Sequence, residues 1–189
     1  MKTLREQFED DYMAVRIPAD NKTGMKVKYI YYAPWYLWNL PKDVLKRKKW
    51  FLAGLSAVGL LLFLLTGVQP CGVNSFIMVE TGGIFALCAY VFELFSIFQF
   101  LSAKYRTSRM TYTSVNHTLP VAAFLRGICH LISATGGVLY AVENGFEPLI
   151  LPVVTGYLVC ACMAFHIFNE YRKIPVKTEE NEALSHLGD

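Results

Sequence analysis

Three ionisable residues set within apolar sequence, Glu93, Arg126 and His130, carry the chemistry this chain offers. A carboxylate or guanidinium at lipid depth is costly unless it meets an opposite charge or a wet cavity. A histidine beside such a pair adds a group that changes charge near neutral pH. Arg126 and His130 stand four apart, so on a helix they stack on one face with Ala123, Ala134 and Gly137. Glu93 shares its helix face with Gly82, Ala86, Ala89 and Ser96. Small residues at such spacing let membrane helices approach closely and let polar groups bond across the seam. At about 1.5 Å per residue from the flanking polar turns, Glu93 lies about 13 Å deep, Arg126 about 10 Å and His130 about 16 Å. Depth and face together predict a buried Glu93–Arg126 ion pair with His130 beside it. Such a cluster is either structural glue that fixes register or a site for an ion, a proton or a ligand headgroup.

The elements that must position these residues are four long apolar stretches, Trp50–Val68, Phe76–Leu101, Leu119–Val142 and Leu149–Phe168, each long enough to cross a bilayer as a helix. The chain has 189 residues, 54% of them hydrophobic and 17% charged, and a soluble domain of that size cannot bury four such helices on every face. The expected fold is all-α: a polytopic membrane protein with a four-transmembrane-helix antiparallel bundle. A cytoplasmic and interfacial segment, residues 1–49, precedes the bundle of residues 50–170, and a cytoplasmic tail, 171–189, follows it. Val68–Gly72 and Asn144–Pro148 mark tight turns, and short turns force neighbouring helices to run antiparallel. No apolar run after a basic start marks a cleaved signal at Met1–Asp11, so the first span is expected to act as an uncleaved signal anchor.

Charge gives the orientation. Lys42, Lys46, Arg47, Lys48 and Lys49 precede the first span. Lys104, Arg106 and Arg109 join the second to the third, and Arg172, Lys173 and Lys177 follow the fourth. The opposite loops, Gln69–Ser75 and Glu143–Pro148, hold no Lys or Arg. Every basic residue except Arg126 therefore falls on one side, which places both termini in the cytoplasm of a multi-pass protein of the cell membrane. The compact chain with short loops suits a bacterial plasma membrane. Asn116-His-Thr118 matches a glycosylation acceptor, but on the cytoplasmic side that match is chance.

Before the bundle, Leu4, Phe8, Tyr12 and Val15 recur at helical spacing opposite Glu6, Glu9, Asp10 and Asp11, which predicts an amphipathic helix over Thr3–Val15, ended by Pro18 and the turn formers of Ala19–Gly24. Lys28–Pro41 then gathers Tyr29, Tyr31, Tyr32, Trp35, Tyr36 and Trp38, and Pro34 and Pro41 prevent one helix through it. Such rings suit the headgroup level, so this segment is expected to lie along the inner membrane surface. The basic run Lys42–Lys49 would draw anionic lipid there. Topology already explains that run, and nucleic acid is not needed as a partner.

Other candidates are weaker. Glu80 and Thr81 sit near the outer end of the second span, and with Gly136–Gly137 and Pro152 they suggest an outer half that is looser or contains a cavity. Four of the five cysteines, Cys88, Cys129, Cys160 and Cys162, lie inside spans, and no CxxC occurs, so packing is their expected role. Cys162 and His166 stand one turn apart, but two residues do not make a metal site. His130 and His166 differ in depth by about two turns, which disfavours a bis-histidine haem. No metal or other cofactor is expected. Serine-hydrolase, phosphate-loop and zinc-protease motifs are absent, and no motif ties the chain to a known family. The leading expectation is a non-catalytic interaction or accessory subunit of a larger membrane assembly, with a protein partner or further copies of itself. The alternative is a small transporter or intramembrane ligand- or ion-binding protein that uses Glu93, Arg126 and His130.

Overall fold

A computed structural model of the chain describes residues 4–18 and 25–181. It is 71% helical, with four helices long and apolar enough to span a membrane packed against each other. The described residues fall into two compact units. One is the helical bundle, Leu40–Ser102 with Val115–Pro175. The other draws on Met1–Asn39, Ala103–Ser114 and Val176–Asp189.

The bundle is formed by α2 (Lys42–Gly67), α3 (Ile77–Ser102), α4 (Arg109–Asn144, its bundle portion beginning at Val115) and α5 (Ile150–Arg172). α2 begins directly after Pro41, whose fixed φ and missing N–H suit a helix entry. The Pro41 carbonyl accepts the Leu45 N–H at 2.9 Å. The basic run Lys42–Lys49 is thus the first two turns of the helix, earlier than the apolar boundary at Trp50 suggests. Lys48 Nζ donates to Glu170 Oε2 at 3.0 Å, tying α2 to α5. At the other end a 3₁₀ turn, Gly72–Ser75, brings Asn74 back under α2. Its side-chain amide donates toward the carbonyls of Thr66, Gly67 and Gln69 at 3.1–3.2 Å, where α2 ends and the chain turns. α4 ends on Gly145 at φ 91°, the left-handed position that favours glycine, and its N–H reaches the Ala141 carbonyl at 3.1 Å.

Bare glycine faces set the helix seams. A Cβ on Gly82 of α3 would run into Ser133 Oγ and lie 3.0 Å from the Cys129 carbonyl of α4. On α4, a Cβ at Gly127 would lie 2.8 Å from the Phe165 ring and one at Gly137 2.6 Å from Val154, both on α5. Gly156 of α5 accommodates Thr66 of α2 in the same way. The polarity of the bundle is inverted relative to a soluble protein. Phe98, Phe85 and Leu61 are 69%, 61% and 59% exposed, while Glu93, Arg126 and His130 are each 0% exposed. Such a surface is solvated by lipid, and the chain is a four-helix membrane bundle.

The second unit holds strands that the sequence reading does not anticipate. α1 (Leu4–Asp11) stops one turn short of the expected Val15, because Tyr12–Pro18 forms β1, antiparallel to β2 (Met25–Tyr31). In β1, Val15 and Ile17 alternate with exposed Ala14, Arg16 and Pro18, and that period of two together with β-branched residues outweighs the looser helical spacing. Thr3 and the Ala19–Gly24 turn lie outside the described residues. The aromatic stretch expected along a membrane surface is also largely extended. β3 (Trp35–Trp38) is the centre of a three-stranded antiparallel sheet, flanked by β4 (Arg106–Thr107) and β5 (Val176–Glu179). Its rings pack on one another. Tyr31 meets Trp35 at 4.4 Å between centroids, Tyr36 stacks on Tyr112 at 4.3 Å, and Trp38 is buried. Arg109 reaches buried Asp11 at 3.8 Å.

Candidate functional site

Glu93 and Arg126 meet at the centre of the bundle. Arg126 Nη1 lies 2.8 Å from Glu93 Oε1, and both side chains are fully buried. The residues that share their faces are buried with them: Gly82, Ala86, Ala89 and Ser96 on α3, and Ala123, Ala134 and Gly137 on α4. Each helix thus brings one charged residue to a seam that small side chains keep close. Ser56 of α2 donates to the same Glu93 oxygen at 2.5 Å, so three helices share one carboxylate. The guanidinium also lies over the Tyr90 ring, with Cζ 4.2 Å from its centroid.

His130 is one turn from Arg126 on the same face of α4. Its ring is surrounded by Phe63 at 5.3 Å, Tyr90 at 5.8 Å and Tyr157 at 6.2 Å between centroids. Around this aromatic box α5 contributes buried Cys160, whose thiol faces the Gly59 carbonyl of α2 at 3.6 Å. Gly59 is bare because a Cβ there would stand 3.1 Å from Tyr90 Oη and 3.9 Å from Arg126 Nη1. Tyr157 extends the polar line toward the 3₁₀ turn, its hydroxyl donating to Asn74 Oδ1 at 3.2 Å.

The cluster leaves much of its hydrogen-bonding capacity unused. Among the described residues, Glu93 Oε2, the three guanidinium nitrogens of Arg126, both ring nitrogens of His130 and Tyr90 Oη are buried with no hydrogen-bond partner. Arg126 Nη1 is close enough to Glu93 for an ion pair, but its N–H groups do not point along that approach. A buried polar group left unpaired costs about 1–3 kcal/mol, so seven such atoms in one place are a strong local feature.

The other sequence candidates are not part of this centre. Glu80 and Thr81 are exposed on α3, and the outer half they were expected to open is closely packed. A Cβ on Gly136 would stand 2.8 Å from Met78 Cβ, and Val154 fills the space beside Gly137. Glycines that read as looseness in the sequence are there because helices touch. Cys162 and His166 are exposed too, with His166 edge-on to Phe51 at 5.9 Å. Among the described residues, no three His, Cys, Asp or Glu side chains are grouped to hold a metal ion.

Sequence reasoning missed Ser56, Gly59, Tyr90 and the aromatic box. Ser56 and Gly59 are three apart on one face of α2, and Tyr90 is three before Glu93 on α3, so helical spacing carried a signal for each. Phe63 and Tyr157 had none, because an aromatic residue within a span is ordinary. No family model, curated protein or solved structure matches the chain.

Proposed function

We propose that the chain is a membrane-embedded binding protein, a small transporter or ligand carrier, with its site at Glu93, Arg126 and His130. The observation that carries this reading is the unused hydrogen-bonding capacity of a fully buried guanidinium and imidazole beside a single ion pair. A pair kept only as glue gains most when its remaining valences are satisfied within the protein, and here they are not. In the same reading the protein is a multi-pass protein of the cell membrane with both termini in the cytoplasm, where Lys42–Lys49 faces anionic headgroups.

The test uses the full chain in lipid nanodiscs, wild type against a paired replacement of Glu93→Leu with Arg126→Met. Both are heated with a panel of small acids, small amines, alkali-metal salts and quinones. A true ligand at a hundredfold over its Kd stabilises the folded state by about 2.7 kcal/mol. The expected result is one chemical class that raises the melting temperature of the wild type and leaves the paired variant unmoved. A panel in which no compound discriminates between them defeats the proposal.

A second reading, a non-catalytic interaction or accessory subunit, is favoured by a different observation. In the strand unit, Tyr29 and Val27 of β2 are exposed side chains on a sheet with no third strand among the described residues. Such a sheet, with exposed apolar side chains, suits strand addition by a partner. Purification in mild detergent should then yield a stoichiometric companion that is lost on Val27→Lys with Tyr29→Ser. Recovery of this chain alone counts against that role.

A further inference from the structure

The charges and donors of the cluster narrow the ligand's chemistry, an inference that rests on the binding reading above. Arg126 engages Glu93 through Nη1, at 2.8 Å, and its face is covered by the Tyr90 ring. What remains is the planar edge formed by Nε and Nη2, both without a hydrogen-bond partner among the described residues. Parallel N–H groups on that edge match the two oxygens of a carboxylate or a small oxoanion. Tyr90 Oη adds a further unspent hydroxyl nearby. The α2 backbone at Gly59 closes in on this side, since a Cβ there would stand 3.1 Å from Tyr90 Oη and 3.9 Å from Arg126 Nη1, and such packing disfavours a large ligand.

Charge sets the second requirement. Glu93 and Arg126 cancel, so an anion that enters alone leaves a net negative charge among groups that are 0% exposed. A proton that enters with it restores neutrality. His130 is placed to hold that proton, one turn from Arg126, with both ring nitrogens uncommitted among the described residues. The ionisable groups around it are Glu93 and Tyr90 from α3, Arg126 from its own helix, and Tyr157 and Cys160 from α5. α2 presents Phe63, Ser56 and Gly59, which carry no charge. A cation is disfavoured by the surplus of N–H donors. A bulky lipid is disfavoured by the closed packing.

We propose that this site binds a short monocarboxylate, or a monovalent anion of the same two-oxygen geometry, together with one proton. The anion's oxygens are held by Nε and Nη2 of Arg126, and the proton, taken from water, sits on an imidazole nitrogen of His130. No bond within the ligand changes, and the net charge of the cluster is the same before and after binding.

The experiment is calorimetric titration of the full chain in phosphatidylcholine nanodiscs with sodium formate, sodium acetate, sodium nitrate and sodium chloride. It is repeated in two buffers of different ionisation enthalpy to count protons. Formate or acetate is expected to saturate with uptake of about one proton per anion, with chloride much weaker. Arg126→Lys keeps the charge but loses the fork, and should weaken binding by about tenfold or more. His130→Phe should abolish proton uptake. If that variant does not fold, His130→Gln gives the same readout with a polar ring substitute. Carboxylate binding without proton uptake, or proton uptake that persists in both His130 variants, overturns the proposal. If formate, acetate and nitrate all fail while another class in the thermal panel discriminates wild type from the paired variant, this inference falls and the binding reading stands. If nothing discriminates, both fall.

Discussion

Removing one charge at a time from the central pair should be far more damaging than removing both. At an effective dielectric of about 20, unit charges 2.8 Å apart attract by about 6 kcal/mol, and the burial of the two ions offsets most of that. Arg126→Met leaves Glu93 charged and enclosed, with Ser56 as its remaining partner, and should cost about 3–5 kcal/mol. Glu93→Leu leaves the guanidinium over the Tyr90 ring with no counter-ion, at a similar cost. The paired variant should return to within about 1 kcal/mol of wild type, because neither ion is then stranded. The coupling energy of the cycle is therefore expected to be about 5–10 kcal/mol, well above the roughly 1.7 kcal/mol maximum for ordinary hydrogen bonds between membrane helices. Ser56→Ala should cost about 1.5–3 kcal/mol in wild type and almost nothing in the Glu93→Leu background, since its bond is to the carboxylate. Equilibrium unfolding in bicelles, read by steric trapping, measures all four corners. A coupling energy below about 1.7 kcal/mol would show that lipid headgroups or water solvate the two charges separately, and the buried pair would be refuted.

Four further outcomes can be read independently. Gly82→Ala should destabilise the bundle by about 1–3 kcal/mol, because its Cβ meets Ser133 Oγ and the Cys129 carbonyl at 3.0 Å, whereas Gly54→Ala, with nothing within 4 Å, should stabilise it by about 0.5–1 kcal/mol; equal effects in unfolding would deny that α3 and α4 touch there. Glu179→Ala should change stability by less than about 1 kcal/mol, since the Arg106–Glu179 pair is 47% and 51% exposed, and a larger loss in the same assay would mean the pair is shielded. Burial raises the pKa of Tyr31 above its usual 10.0, so its contribution to the strand unit is complete below pH 10 and is lost as pH climbs through the higher folded value; Tyr31→Phe should remove that alkaline loosening from near-UV circular dichroism. A cysteine at Asn144 should react with a membrane-impermeant maleimide on intact cells and one at Lys177 only after permeabilisation, and the reverse order overturns the orientation.

Much of the bundle was legible because one physical signal, long apolar runs between polar turns, suffices to specify a membrane helix. Its boundaries were less so. Lys42–Lys49 and Arg109–Thr118 are polar by composition yet continue α2 and α4, because a helix that leaves the hydrocarbon need not stop where apolarity does. The buried cluster was legible in its charged members, since Glu93, Arg126 and His130 are rare in such segments and spacing assigns their faces. The strand unit was not. Leu4, Phe8, Tyr12 and Val15 fit a helix, and beyond Asp11 the alternation in Tyr12–Pro18 decides against it together with the partner strand Met25–Tyr31. The pairing of Trp35–Trp38 with segments at 106–107 and 176–179 is equally non-local. Gly136 and Gly137 gave the opposite error, since absent side chains signal either space or contact, and the facing residues Met78, Val79 and Val154 decide for contact.

Contacts besides the central ion pair also hold the helices together. Ser133 of α4 reaches the Val79 carbonyl of α3 at 3.3 Å beside the bare face of Gly82, which already fixes how these two helices are aligned along their length. α2 and α5 are aligned by Thr66 against Gly156, by Cys160 on the Gly59 carbonyl and by Lys48 on Glu170. α4 and α5 are aligned by Phe165 over Gly127. Each of these contacts uses neutral or peripheral groups and avoids the desolvation of two central ions. The α3–α4, α2–α5 and α4–α5 seams thus have neutral or peripheral devices, whereas α2 meets α3 through Ser56 on Glu93 and Gly59 beside Tyr90. The guanidinium and carboxylate lie beside Ser56 and Gly59 of α2, with the imidazole of His130 one turn away on α4. In the proposed reading, the donors left without a partner at this centre among the described residues serve a bound ligand.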